Sequence, residues 1–86
     1  MKVISKKRHL YIAADSKIQG GEPIIRGTRI SVRSVVLYIL RQGMPPETMA
    51  KEFRISLAAL YDALSFYYDH RSYMDRLIER QSEKAA

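Results

Sequence analysis

The 86-residue sequence contains no cysteine, which excludes a disulfide framework and any thiolate metal site. A chain of this size buries only about 60% of the surface that its unfolded form exposes, so its stability margin is thin without such staples. Extra burial through self-association is therefore expected. Long apolar runs are missing too. The longest wholly apolar stretch is Val35 to Leu40, far short of the roughly 20 residues that span a bilayer. Met1-Lys2 is not followed by the apolar core of a signal peptide, and the expectation is a soluble, cytoplasmic protein. Catalytic constellations are equally scarce. His9 and His70 are the only histidines, there is no His-x-x-x-His pair, and Gly20-Gly21 lacks the third glycine and the strand-to-helix context of a nucleotide loop. Asp69 and His70 are adjacent, so on a helix they diverge by about 100° and do not cooperate. The composition predicts no enzyme, no metal, no cofactor and no small-molecule substrate.

Acidic residues are few in the front of the chain. Residues 1 to 54 hold eleven Lys and Arg against four Asp and Glu, whereas residues 55 to 86 hold four against five. The formal net charge is +6 and the pI is about 9.8. A positive front points to a polyanion, most often nucleic acid, with a basic surface kept for solubility as the plainer reading.

What is present has a clear order. Residues 1 to 8 form a basic arm with four cations, which either grips phosphate or is simply solvated. His9-Leu10-Tyr11-Ile12 has strand propensity, Asp15-Ser16 and Gly20-Gly21 signal turns, and Pro23-Ile24-Ile25-Arg26 is extended again. From Ser31, a good N-cap residue, the period becomes helical. Val32, Val35, Val36, Ile39 and Leu40 fall on one face, and Gly43 is placed to end the helix. Met44-Pro45-Pro46-Glu47 opens a second helix reaching about Phe53. Arg54-Ile55 make a tight turn, Ser56 caps again, and a third helix runs from Leu57 to beyond His70. The expected fold is mainly α: a three-helix helix-turn-helix domain preceded by a short β-hairpin or edge strands. Its divisions are an arm over 1-8, the domain over 9-70, and a helical or disordered charged tail over 71-86, where Arg71 with Asp75, or Arg76 with Glu79, can pair along a helix.

The second and third helices carry the helix-turn-helix pattern: Ala50 is the small residue, Met49 and Phe53 face inward, Ile55 plugs the turn, and Leu60 and Leu64 come from the third helix. Arg54 stands where glycine often adopts a left-handed conformation. At 100° per residue the third helix shows two apolar stripes. Leu57, Leu60, Tyr61, Leu64 and Tyr68 are expected to pack against the first two helices. Ala59, Ala63, Phe66, His70, Tyr73 and Leu77 lie roughly opposite and are expected to form a dimer seam or partner-binding face. The remaining ribbon, Asp62, Ser65 and Asp69, would repel phosphates, which makes this helix a poor reader of bases. Cations for DNA contact are therefore sought at Lys6, Lys7, Arg8, Arg26, Arg29, Arg33, Lys51 and Arg54.

The stretch Gly20-Gly21-Glu22-Pro23-Ile24-Ile25-Arg26-Gly27-Thr28-Arg29-Ile30-Ser31-Val32, followed by a helix and then Gly43-Met44-Pro45-Pro46-Glu47, resembles domain-of-unknown-function family 433 (DUF433). The resemblance covers about Asp15 to His70. It implies a VapB-type antitoxin of a toxin-antitoxin pair, with a helix-turn-helix domain, which blocks a toxin of PIN-like nuclease fold and whose complex binds its own operator. The residues themselves leave two readings open: a homodimeric antitoxin that binds double-stranded DNA, or a protein-binding inhibitor or adaptor module without DNA binding.

Overall fold

The computed structural model describes residues 8–85, with the side chains of residues 8–80. The elements are strands β1 (Ile12–Ala13) and β2 (Ile24–Ile25), helix α1 (Val32–Val35) with a π-helical continuation (Val36–Arg41), and helices α2 (Pro46–Phe53), α3 (Leu57–Asp69) and α4 (Arg71–Ala85). A mainly helical domain preceded by a small hairpin is thus what the chain forms. Ile12 pairs with Ile25 and Ala13 with Ile24 in antiparallel register, and Ile24 bridges on its other side to Ser31. Flanked in this way and covered by α3, both residues of β2 are buried.

A compact turn links β2 to α1. Gly27 supplies the positive φ of +81° that an L side chain resists. Thr28 then closes the turn, its hydroxyl donating to the Ile25 carbonyl (2.7 Å) and accepting from the Ile30 N–H (2.9 Å). Ser31 caps α1 by accepting from the Ser34 N–H at 3.0 Å, so one of the orphan donors of the first turn is satisfied. Val32, Val35 and Val36 are fully buried.

Beyond Val35 the turns widen. The Gln42 N–H reaches the Leu37 carbonyl and the Met44 N–H the Tyr38 carbonyl, both at 2.9 Å, and Gly43 ends the element with φ +79°. A wider turn advances less than 100° per residue, which carries Leu40 off the buried face. It is exposed, correcting its place on the core stripe. Pro46 occupies the first turn of α2 and Glu47 faces its positive end, where a missing N–H costs nothing and a carboxylate is favoured. Arg54 takes the left-handed conformation (φ 58°, ψ 47°), and the Ile55 N–H returns to the Ala50 carbonyl at 3.0 Å. The turn geometry is that of a glycine position filled by arginine. Ile55 plugs it and Ser56 caps α3 through the Ala59 N–H.

The third helix stops sooner than its sequence suggests. His70 leaves helical geometry (φ −132°, ψ 46°), and α4 starts at once and packs against α1 and α3. Met74 and Ile78 complete the core, so the first two turns of α4 pack into the same body. The joint is held by Tyr67, whose hydroxyl donates to Asp75 at 2.8 Å. Arg71 pairs with the same carboxylate at 3.4 Å and lies 5.0 Å from the centre of the Tyr67 ring.

Truncating Met74 or Ile78 to Ala should cost about 2–4 kcal/mol in urea unfolding, as for large-to-small changes in a packed core, while Arg76→Ala should stay within about 0.5 kcal/mol. Losses for Met74→Ala and Ile78→Ala as small as that for Arg76→Ala would show that α4 adds nothing to the core. A second expectation concerns alkali. Burial first, then the hydrogen bond to Asp75 and its negative charge, push the Tyr67 phenol above its ordinary value of 10.0. The folded state therefore favours the neutral phenol. That contribution is complete below the ordinary tyrosine range and is lost as pH rises through the higher folded value. Tyr67→Phe should lessen the loss of stability above about pH 10, seen in denaturation curves collected across that range.

Candidate functional site

The first stretch of described chain is fastened to α3 by one histidine. Asp62 and Asp69 are seven positions apart, two turns or roughly 10 Å along one face of the helix. His9 fits between them, Nδ1 at 2.9 Å from Asp62 Oδ1 and Nε2 at 2.8 Å from Asp69 Oδ2. The Tyr11 N–H donates to the second Asp62 oxygen at 2.9 Å. The imidazole is only 10% exposed and meets Phe66 edge-on, with ring centres 5.3 Å apart. A His-Asp-Asp trio invites a metal or acid-base reading, but the two carboxylates lie at opposite ring nitrogens and do not converge on one point. Neither nitrogen is left to take a proton from a nucleophile, the task a base must perform. Among the described residues no cluster of three or more such side chains is placed to hold an ion.

The two stripes of α3 change places relative to expectation. Ala59 and Ala63 are buried within the chain's own core (4% and 0% exposed), so neither is part of an outer seam. Their small side chains face the interior, where the strands, α1, α2 and α4 all come against α3. Phe66 is half-buried beneath His9 and stacks on His70 at 4.4 Å. Tyr73 and Leu77 lie beyond the break in the helix, beside Gln19, Gly20 and Glu22, and do not continue the Ala59–Phe66 line. The proposed seam is thereby dispersed. Of the other stripe Leu60 is fully buried, but Leu57, Tyr61 and Tyr68 are 40%, 49% and 56% exposed, with Leu64 half-buried between them. At spacings of four, three and four residues these form one line along the helix. Beside it, Arg8, Leu10, Tyr11, Ala58, Tyr61 and Asp62 line an open cleft of about 370 Å³.

The candidate cations divide into committed and available groups. Lys6 and Lys7 lie outside the described residues. Arg33 donates through Nε and a terminal nitrogen to both oxygens of Glu22, at 3.1 and 3.2 Å, and Glu22 is only 7% exposed. Arg26 donates to the carbonyls of Leu10 (3.0 Å) and Ile12 (3.1 Å), tying β1 to β2. These two arginines hold the fold. Arg8 has an 80% exposed side chain, with Asp69 4.0 Å away. Arg29, Lys51 and Arg54 are exposed and make no ion pair among the described residues. Lys51 and Arg54 sit where α2 turns into α3.

Sequence reasoning saw Asp62 and Asp69 but not their partner. Their shared face was the available signal; the 53-residue and 60-residue separations from His9 were not. What the fold defines is a small, mainly helical domain preceded by a two-stranded hairpin. The family model for "Protein of unknown function (DUF433)" matches residues 12–67, and the chain belongs to that family. A crystal structure of a DUF433 member from Anabaena variabilis ATCC 29413, at 2.00 Å resolution, is similar at 28% identity with a TM-score of 0.74, over 80% of this chain and 68% of that one. No curated protein matches the chain.

The residues that carry the family resemblance work on the inside. Glu22 holds Arg33, Ile24 and Ile25 are buried, Gly27 and Thr28 make the turn, and Ser31 caps α1. Removing Arg33 would leave Glu22 buried without its counter-charge. Arg33→Ala should therefore cost about 3 kcal/mol, whereas Arg29→Ala should change stability by less than about 0.5 kcal/mol. Thermal denaturation of the two variants checks the assignment of one arginine to the scaffold and the other to the surface.

Proposed function

We propose that this DUF433 protein is a non-enzymatic, antitoxin-like binding protein that captures a PIN-like nuclease toxin and, with it, contacts operator DNA. The observation that carries the reading is the line of exposed Leu57, Tyr61 and Tyr68 on α3. Aligned aromatic and aliphatic side chains left outside a small core are what a partner's interface core takes up. The antitoxin type that the DUF433 resemblance implies supplies the class of that partner. Support for DNA contact comes from Lys51 and Arg54 at the helix-turn-helix and from Arg8, which adjoins Lys6 and Lys7 in the sequence.

A protein-binding adaptor without DNA contact is the second reading. It is favoured by the internal commitment of Arg26 and Arg33 and by the two carboxylates on α3. The readings separate by salt. Duplex affinity set by phosphate contacts falls steeply as salt rises, and Lys51→Ala with Arg54→Ala should each lower the log–log slope by about one. Unaltered affinity and slope in the double variant would remove both residues from the interface. For the partner face, Tyr61→Asp should weaken capture of a PIN-like nuclease by about 2–4 kcal/mol if the site is a hot spot. Undiminished capture would rule that face out. Light scattering on the same variant reads the competing outcome, a homodimer through this stripe.

A further inference from the structure

The contact that fastens residues 8–11 to α3 is complete in only one protonation state. Carboxylate oxygens accept and never donate, and a neutral imidazole has a single N–H. Bonds from both ring nitrogens of His9, at 2.9 Å to Asp62 and 2.8 Å to Asp69, therefore require both nitrogens to carry hydrogen. The other charged or titratable groups facing the ring are Arg8, 4.0 Å from Asp69, and His70, with ring centres 6.2 Å apart. The hairpin side offers only Ile12, Ala13, Ala14 and Pro23 around the cavity beside the ring, none of them charged. His70 is exposed, so its own charge is screened by water and salt.

We propose that His9 is a proton-operated latch governing the binding surface of α3. Protonated, it pins the N-terminal segment across the helix. The imidazolium and the Arg8 guanidinium then offset the two carboxylates, and the phosphate-repelling ribbon becomes a neutral platform at the root of the basic arm. When the imidazole loses a proton, one of the two bonds is lost and one carboxylate is uncompensated. The hold on residues 8 and 9 is weakened, while Arg26 keeps Leu10 and Ile12 on the hairpin, and the face of α3 is acidic again. The latch also explains the acidic ribbon on a domain with a basic front: the ribbon docks the chain's own segment. Its effect on DNA rests on the reading given under Proposed function; the latch itself does not.

The test uses the full-length chain, labelled for NMR and titrated from about pH 5 to about pH 9, across the range in which histidine changes charge. His70→Gln serves as the background in which His9 is the only histidine. The Tyr11 amide, which donates to Asp62, is the reporter, and the Leu60 amide, bonded to the Ser56 carbonyl, is the internal control. The Tyr11 signal should move in step with the His9 ring. Its protection against hydrogen exchange, corrected for intrinsic rate, should fall about tenfold at high pH, the size of one charge-assisted hydrogen bond, while Leu60 stays constant. In His9→Gln and in Asp69→Asn the step should vanish from an otherwise native spectrum. A Tyr11 amide indifferent to His9 titration, or a step that persists in His9→Gln, overturns the latch. A short duplex titrated at fixed low salt forms the second arm. Affinity that declines with the His9 midpoint in the background protein, and is flat in His9→Gln, supports the latch as a control on DNA contact. A latch that titrates while no duplex binds at any pH upholds the device and removes the DNA reading.

Discussion

A helix that is apolar around most of its circumference cannot be buried on every side by a chain of 86 residues. The organisation of this protein turns on which side of α3 is covered. The alanines decide it. Ala59 and Ala63 let neighbouring backbone come close, and with Leu60 and Tyr67 they form the buried face. Bulkier Leu57, Tyr61 and Tyr68 are left outside. Once that choice is made the rest follows: the hairpin lies over α3, α1 packs beside it, and α4 fills the remaining space with Met74 and Ile78. Burial of small residues contributes little apolar area on its own account. What it contributes is proximity, and with it the dispersion contacts of every larger side chain around the helix.

Local chemistry was legible in the sequence. Ser31 and Ser56 as caps, Gly43 as a stop, Pro46 in a first turn and Ile55 as the plug of the helix-turn-helix depend on a few neighbouring residues, and each stands where its side chain says it should. Arg54 is instructive because the position was readable while the residue was not: the left-handed turn forms with arginine in it. The end of α3 was hidden. No glycine or proline marks His70, and a wheel drawn through it places Tyr73 and Leu77 on a stripe that the backbone breaks. Met74 and Ile78 stand one helical turn apart within a charged segment. That pair was the clue to a core-facing side on α4.

The site was harder to read than the fold because charges find their partners through space. A tally of cations treats Arg26, Arg33 and Lys51 alike. Only the folded chain shows that the first two are spent on Leu10, Ile12 and Glu22. The same holds for the acids of α3. Viewed along the helix, Asp62 and Asp69 are a repulsive ribbon; viewed in three dimensions they are a socket filled from the other end of the chain. A net charge of +6 thus overstates the positive surface on offer in one place and understates it in another, since Arg8 is brought beside Asp69 on the helix that composition alone would keep from phosphate.

The turn built by Gly27 and Thr28, with the neighbouring ion pair of Glu22 and Arg33, has a consequence for kinship. These are masonry residues, selected by the shape they impose and silent about what the protein touches. Chains sharing them will be grouped by architecture and can still diverge in ligand, much as houses on one floor plan have different tenants. Subfamilies of this fold are better drawn from the positions that line the outward face of α3 and from whatever stands at position 9.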